Sequence, residues 1–393
     1  MQYNHYLPFI YIIFAIWNLP LYLFNLASLP NGSNFYFERL IFPSSFLEVI
    51  WWKFLLVLFF FASVYLISLI SKKLTASSLN KNIPISTFFA TSPLAVFSVF
   101  LFGGYDIVSV FFTLLGIYFY IRQDQFKFVL FFSLAISLKY FALIIFVPLL
   151  LLIEKNLFQI IKWTLLGISF SVLQLLFYFK SQTFFSEIFA MALNKSHSDS
   201  TTKMLFKAFI FLIYLCFCIF IYLKKIANLK IFYKYVVFVP LFAYALMFIA
   251  VSWHPQWVII ICPFLSLSYI YIKQRRTLLF LEALAMIALT WFAVNNWKGN
   301  VDLSMLGLAP LGSFIVKPNY LLSDFFHGFK AFFRFIFTAY LISPLLIFFY
   351  ESKFKKRFES HLVSENLILI RLFLGLSLFI LPAISLIISS IYV

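Results

Sequence analysis

The chain has 393 residues, of which 64% are hydrophobic and only 11% are charged. Soluble globular domains carry roughly 25% charged residues, so this composition excludes a soluble protein and indicates one embedded in a membrane. The formal net charge is +17, but the lysines and arginines are spread over successive short loops and form no contiguous patch outside the lipid. This distribution argues against a nucleic-acid partner.

Apolar runs of membrane-spanning length follow one another along the whole chain. A spanning helix needs about 20 mostly apolar residues. The runs are 6–29, 49–71, 83–102, 107–121, 127–153, 159–179, 204–223, 235–251, 258–272, 277–295, 329–350 and 367–390. The segments between them are too short or too apolar to fold as separate soluble domains. We therefore predict an all-α polytopic membrane protein with about 11–13 transmembrane helices in a single domain, 1–393.

The basic residues indicate which loops are cytoplasmic. They gather at alternate loops, as the positive-inside rule requires of the cytoplasmic side. The clearest groups are Lys72 with Lys73, Arg122 with Lys127, Lys224 with Lys225, and Arg275 with Arg276. We therefore expect a multi-pass plasma-membrane protein with a cytoplasmic N-terminus. The polar clusters that could carry chemistry then face the outside.

Residues 127–153 do not fit a single comfortable span, because they are too long and contain Lys139. We predict a short outward helix, a bend near Lys139 and a short returning helix. The alternative is one tilted helix, which would leave the next basic loop on the wrong side of the membrane.

Asp106 follows Gly103, Gly104 and Tyr105 at the start of an apolar run. A charged side chain in lipid costs roughly 2.5–3.5 kcal/mol on insertion scales, so such residues are functional candidates. The Asp106 carboxylate could act as a general base that deprotonates a sugar hydroxyl. The alternative is a helix cap, because Asp is favoured at the N-cap position and the run 107–121 follows.

Lys139 lies between Leu138 and Tyr140 inside an apolar stretch. A buried ammonium favours a permanent anion, and the phosphate of a lipid entering from the membrane would supply one. The alternative is a lysine whose stem lies in the lipid while its amine reaches the interface.

His254 is flanked by Trp253 and Trp257 at a predicted outer boundary. It could hydrogen-bond a phosphate or a sugar, with Gln256 and Tyr105 as further substrate contacts. The alternative is that the tryptophans form part of the interfacial aromatic belt and His254 is merely interfacial.

Glu38 and Glu48 bracket the first predicted outer loop, and Arg39 follows Glu38. Glu38 is a second candidate for the general base, and Arg39 is a candidate ligand of the phosphate. The alternative for Glu38 and for Glu48 is a solvated charge in the loop. His197 and Asp199 lack a third ligand, so we predict no metal site. The acidic residues are too scattered for a convincing cation cage. No cofactor is therefore assigned, and a bound divalent cation is kept as an alternative.

Three short motifs occur in an order that resembles the GT-C superfamily of integral-membrane glycosyltransferases, which use polyprenyl-phosphate sugars. They are Phe-Gly-Gly-Tyr-Asp-Ile at 102–107, Leu-Ala-Ile-Ser-Leu-Lys at 134–139 and Phe-Val-Pro-Leu-Leu at 146–150. The chain looks most like the branch related to GPI-anchor mannosyltransferases and their bacterial relatives. His-Pro-Gln-Trp at 254–257 is similar to a late His-x-x-Tyr/Trp element of that branch. The likeness covers roughly 35–270 and leaves 277–393 as additional C-terminal spans.

The resemblance implies that Asp106 lies at an outer-face catalytic site, Lys139 near the donor phosphate and His254 near the bound head group. The family usually carries an acidic residue in the first outer loop, commonly as the base. Here that loop offers Glu38 and Glu48, so Asp106 and Glu38 remain alternative bases. Gly104 stands where the family has Gln.

We therefore expect an inverting transfer of one sugar from a polyprenyl-phosphate donor to a hydroxyl of a glycan or lipid-linked acceptor. The expected product is part of a cell-envelope polysaccharide. Asp106 or Glu38 would be the base, and Lys139 and Arg39 would hold the leaving phosphate. One alternative is a carrier or flippase of a lipid-linked sugar, which would predict inverted halves and charges along a path. A non-catalytic membrane subunit is the other.

Overall fold

The computed structural model describes residues 8–26, 46–75, 84–101, 103–180, 201–251, 254–296, 330–353, 366–373 and 375. These residues form helices and no β-strand, which confirms the all-α prediction. In chain order the helices are α1 (Phe9–Leu23), α2 (Phe46–Leu74), α3 (Ile85–Ala90), α4 (Pro93–Val96), a π-helical turn (Phe97–Leu101), α5 (Asp106–Ile121), α6 (Gln125–Leu138), α7 (Ala142–Ile153), α8 (Leu157–Phe177), α9 (Thr201–Leu223), α10 (Leu229–Ala250), a 3₁₀ helix (Pro255–Ile260), α11 (Cys262–Ser268), α12 (Arg275–Asn296), α13 (Lys330–Lys353) and a last stretch, 366–373.

Five helices of the described chain are long and apolar enough to cross a membrane: most of α2, the whole of α8, α9 and α10, and most of α13. They make this a multi-pass membrane protein. The helices that carry the candidate residues are shorter, with 16 residues in α5 and 14 in α6. A helix of that length falls short of the roughly 20 residues that a bilayer requires.

Helices α5 and α6 form an antiparallel pair joined by the tight turn 122–124. Gln123 has a positive φ of 62°, and Asp124 caps α6 by accepting a 3.1 Å hydrogen bond from the backbone N of Lys127. The Lys127 ammonium lies 2.9 Å from the same carboxylate, and its hydrogen bond holds the pKa of Asp124 below the ordinary value. Because the turn reverses the chain, the start of α5 and the end of α6 lie at the same end of the pair.

The two helices approach closely at Gly116. A Cβ at this position would lie 2.5 Å from Cδ2 of the fully buried Phe132 ring on α6. Further along the pair, the Ser109 hydroxyl donates a 3.0 Å hydrogen bond to the Ala135 carbonyl. Small residues let membrane helices pack at short distance, and Gly116 does so here.

The chain breaks at Lys139 and returns through α7. Lys139 is extended, with φ −151° and ψ 111°. The Tyr120 hydroxyl, at the far end of α5, donates a 2.7 Å hydrogen bond to the Leu149 carbonyl of α7. Helix α7 therefore runs back alongside α5 and α6. The predicted pair of short helices is confirmed, and the single tilted helix is wrong.

Two predicted spans are not continuous helices. The run 83–102 forms α3, α4 and the π-helical turn, with a break at Ser92, whose ψ of 117° is extended. The following Pro93 disfavours the helical conformation of the residue before it. The run 258–272 begins inside the 3₁₀ helix and continues as the seven-residue α11. Apolar composition indicates burial in lipid or protein, but it does not establish an unbroken helix.

Helix α1 is also shorter than the predicted span 6–29, with 15 residues. Its Phe14 ring packs edge-on against Tyr105, at a centroid distance of 5.7 Å, and against Trp52 of α2, at 4.5 Å. The middle of α1 therefore lies beside the segment that carries Asp106, and it covers one side of the candidate site.

A buried cluster around Glu282 and Arg371 joins distant parts of the chain. The Arg371 guanidinium, 6% exposed, donates to both carboxylate oxygens of Glu282, the shortest bond being 2.6 Å. Arg371 also donates to the Phe88 carbonyl at 2.6 Å, and the Ser92 hydroxyl donates to Glu282 at 2.7 Å. The cluster ties 366–373 and α12 to the broken segment that leads into the site.

We expect Gly116→Val to destabilise the protein by about 1–3 kcal/mol, because the added carbons would overlap the fully buried Phe132 ring. The apparent melting temperature of the purified protein in detergent measures this loss. Val172→Phe is the matched control, since Val172 is 42% exposed on α8 and has room for a larger side chain. Equal melting temperatures for the two variants would show that α5 and α6 do not depend on this contact.

We expect Arg371→Met to destabilise the protein by about 3–5 kcal/mol, since it leaves the Glu282 carboxylate buried without its counter-ion. Replacing both residues by Met removes that unpaired charge and should recover a large part of the loss. The same thermal measurement tests this expectation. A double variant less stable than Arg371→Met would contradict it.

Candidate functional site

Asp106 and Lys139 form a buried ion pair. The Lys139 Nζ lies 2.8 Å from Oδ1 of Asp106. Lys139 is 3% exposed and Asp106 is 1% exposed. The structure thus brings together the two residues that the sequence singled out most strongly.

The pair forms because two helix ends meet. Asp106 is the first residue of α5, and Lys139 is the C-cap of α6. The amino end of a helix carries partial positive charge and the carboxyl end partial negative charge. Each side chain therefore stands at the helix end that stabilises its own charge, and the antiparallel packing of α5 and α6 places these ends side by side.

These positions decide between the alternatives that the sequence left open for Asp106, a helix cap, and for Lys139, an interfacial lysine. Tyr105 is the N-cap of α5 and the helix begins at Asp106 itself, so the Asp106 carboxylate pairs with Lys139 and does not occupy the N-cap position. The burial of Lys139 also excludes a lysine that extends to the interface. Its neighbour Tyr140 is 61% exposed, which places the break between α6 and α7 next to the molecular surface.

Three aromatic rings surround the Lys139 ammonium. Its Nζ lies 5.5 Å from the ring centroid of Tyr105, 5.8 Å from Phe141 and 5.4 Å from Trp257. These distances are in the range in which an ammonium is attracted to an aromatic face. Tyr105 and Trp257 are only half-buried, so they form the cover between the ion pair and the outside of the protein.

The cover is assembled around Gly104 and Ser98. The backbone N of Gly104 donates a 3.0 Å hydrogen bond to the Ser98 carbonyl, and the Ser98 hydroxyl donates a 3.0 Å bond to the Pro255 carbonyl. A Cβ at Gly104 would lie 2.6 Å from that Ser98 oxygen and 3.1 Å from the Gln256 Cβ. The position therefore requires glycine, which explains why this chain has no larger residue there.

His254 and Gln256 belong to the same cover. The His254 carbonyl accepts a 2.9 Å hydrogen bond from the backbone N of Trp257, and the two rings lie 6.1 Å apart. Trp257 thus connects His254 to Lys139. Of the candidate residues, Tyr105, Asp106, Lys139, His254 and Gln256 are brought together at one end of the helix bundle.

Glu38 and Arg39 lie outside the described residues, as do His197 and Asp199. Their predicted roles stay predictions. Within the described ranges, no group of three or more His, Cys, Asp or Glu side chains could hold a metal ion.

Lys53 of α2 is a residue of this region that sequence reasoning missed. Its Nζ donates a 2.5 Å hydrogen bond to the Phe100 carbonyl, at the end of the π-helical turn, three residues before Gly103. A lysine directly after two tryptophans in the run 49–71 carries the same signal that singled out Lys139. Glu282 and Arg371 carry the same signal, because each is a charged residue inside a predicted apolar run, 277–295 and 367–390 respectively.

The ion pair is closed to substrates in this conformation. The cavity beside Lys139, which Ser109 and Thr113 also line, has a volume of about 10 Å³, enough for about one water molecule. Among the described residues, movement of the half-buried Tyr105 or Trp257 ring would open a path from the outside to the pair. Once exposed, the carboxylate can accept a proton while Lys139 compensates charge nearby.

We expect Gly104→Ala to destabilise the protein more than Gly103→Ala. Gly103 has a φ of +64°, which costs an L-residue about 1–2 kcal/mol, but among the described residues its Cβ would meet only the Lys53 Nζ, at 4.0 Å. At Gly104 the Cβ would instead overlap the Ser98 carbonyl, and the turn would have to shift. Melting temperatures of the two variants compare these effects, and a smaller loss for Gly104→Ala would contradict the assembly described above.

No family model, no curated protein and no solved structure matches this chain. The structure itself shows an all-α, multi-pass membrane protein. In it, a carboxylate and an ammonium pair beneath a cover of aromatic side chains.

Proposed function

We propose that this protein is an inverting glycosyltransferase that moves a sugar from a polyprenyl-phosphate donor to an acceptor hydroxyl. The observation that carries the proposal is the buried pair of Asp106 and Lys139, 2.8 Å apart, at one end of a polytopic helix bundle. A carboxylate is one of the side-chain groups that can deprotonate a hydroxyl as a general base. The likeness of the motifs 102–107, 134–139 and 146–150 to those of the GT-C superfamily supports the same assignment.

In the proposed step, the acceptor hydroxyl transfers its proton to Asp106 as its oxygen attacks the anomeric carbon of the donor. The bond from that carbon to the phosphate oxygen breaks, and its electron pair stays on the phosphate. A single displacement of this kind inverts the anomeric centre. Asp106 acts as the general base and forms no covalent bond to the sugar.

The charges of the pair match the charges that this step creates. Before the reaction, Lys139 is neutralised by the Asp106 carboxylate. When Asp106 takes the proton, the Lys139 ammonium loses its counter-ion at the moment at which the departing phosphate gains a second negative charge. The attraction therefore increases in the transition state, which is the condition for faster turnover.

The membrane setting supports a lipid-borne donor. A polyprenyl chain resides in the bilayer, and five helices of the described chain are apolar enough to span one. The donor would then approach from the lipid and present its phosphate at the ends of α5 and α6. Glu38 of the predicted first outer loop stays the alternative base, and His254 and Gln256 are proposed contacts for the bound head group.

We expect Asp106→Asn to lower the rate of sugar transfer by about 10²–10⁴-fold, the usual contribution of a general base. The assay follows labelled hexose and pentose from a panel of polyprenyl-phosphate donors, with the purified protein in lipid nanodiscs. Asp124→Asn is the matched control, because it removes a carboxylate from the opposite end of α5 and α6. Glu38→Gln, run in parallel, distinguishes the two candidate bases.

Loss of transfer in Glu38→Gln with full activity in Asp106→Asn would move the base to Glu38. Absence of transfer and of donor hydrolysis across the whole panel would contradict the enzyme and favour the carrier or the non-catalytic subunit.

A further inference from the structure

Lys53 is a cation inside a membrane-spanning segment, Ile50–Leu74. It is half-buried, and its Nζ donates a 2.5 Å hydrogen bond to the Phe100 carbonyl. Within the described part of the chain, no carboxylate forms an ion pair with it. The cost of an ammonium in a span rises with its depth, and the Lys53 ammonium is held inside the protein at a backbone carbonyl, which makes Lys53 a functional candidate.

The Lys53 ammonium lies beside the glycine turn that precedes α5. A Cβ at Gly103 would meet the Lys53 Nζ at 4.0 Å. Gly103 stands three residues before Asp106, in the turn that leads into α5. A small anionic group bound there would contact the Lys53 ammonium at the edge of the site that holds the Asp106–Lys139 pair.

The depth of Lys53 indicates where such an anion would come from. Trp51 and Trp52 precede it, and tryptophan is enriched at the membrane–water interface. Phe54 and Leu58, which follow in the same helix, are each 45% exposed, as expected of side chains that face lipid. Lys53 therefore lies one turn inside the amino end of its span, close to the level of lipid head groups.

We infer that Lys53 binds the phosphate of a membrane-lipid substrate, beside the Gly103 turn. This assignment rests on the proposed function and sharpens it, since Lys139 is already compensated by Asp106 in the resting site. Lys53 would attract the donor phosphate before the reaction, and Lys139 would add its attraction when Asp106 takes up the proton. The two lysines thereby divide ground-state binding and transition-state stabilisation.

The test is a binding measurement that needs no turnover. The full-length protein is placed in nanodiscs of neutral lipid and titrated with polyprenyl phosphate, with the corresponding polyprenol and with inorganic phosphate. We expect polyprenyl phosphate to bind and polyprenol to bind far more weakly. Lys53→Met should weaken polyprenyl-phosphate binding by about 10–100-fold, as expected for loss of one hydrogen bond to a charged group.

Two further variants control for folding and for charge in general. Lys53→Arg keeps the cation and should retain most of the affinity, whereas Lys127→Met removes an exposed ammonium at the opposite end of α5 and α6 and should change nothing. Methionine is apolar and unbranched, so Lys53→Met suits a spanning helix, and its melting temperature reports whether it folds. If Lys53→Met does not fold, Lys53→Gln is the second variant without the charge, because its amide can still donate to the Phe100 carbonyl. Unchanged polyprenyl-phosphate affinity in Lys53→Gln overturns the inference in the same way.

The outcomes separate this inference from the proposed enzyme. Unchanged polyprenyl-phosphate affinity in Lys53→Met, or equal binding of polyprenol by the wild-type protein, overturns the role of Lys53 even if sugar transfer is observed. Binding that depends on Lys53 without any transfer supports the phosphate site and contradicts the glycosyltransferase. Inorganic phosphate is the last comparison. If it binds as tightly as polyprenyl phosphate, and Lys53→Met weakens both by the same factor, the inference that the bound phosphate belongs to a lipid is overturned.

Discussion

A carboxylate and an ammonium that pair inside an apolar protein constrain everything around them. Neither Asp106 nor Lys139 can be buried alone, because an unpaired charge in such surroundings is strongly destabilising. The start of α5 and the end of α6 must therefore stay side by side, which the turn at 122–124 and the contact at Gly116 accomplish. The same pair gives the proposed site its chemistry, since a proton taken up by Asp106 releases the Lys139 charge toward a leaving phosphate.

Four buried or half-buried charges of the described chain lie at interruptions of the helices or hydrogen-bond to the backbone beside them. Asp106 follows the glycine turn, Lys139 occupies the break before α7, and Lys53 donates to the Phe100 carbonyl within the π-helical turn. Arg371 donates to the Phe88 carbonyl near the break at Ser92. An interrupted helix leaves backbone groups that water cannot reach in lipid, and charged or polar side chains satisfy them. Breaks in the helices thus stabilise the structure and create its polar sites together.

Much of this arrangement could be predicted from the sequence. Length and composition predicted the all-α membrane fold, and Lys139 inside an apolar run predicted the break between α6 and α7. Composition alone did not reveal the breaks within 83–102 and 258–272, because apolar content is the same in a straight helix and an interrupted one. The pairing of Asp106 with Lys139 depends on how the side chains of α5 and α6 pack against each other, which a single sequence does not specify. Lys53 carries the signal that singled out Lys139, an ionisable residue inside an apolar run, and could have been found in the same way.

The most direct test of the central claim is a double-mutant cycle on Asp106 and Lys139. The free energies of unfolding of Asp106→Asn, Lys139→Gln and the double variant would be compared with that of the wild-type protein in one detergent. Because each single change leaves a buried charge without its partner, we predict that the double variant loses clearly less than the sum of the two single losses. Additive losses would show that the two side chains do not interact, and they would contradict the site proposed for this protein.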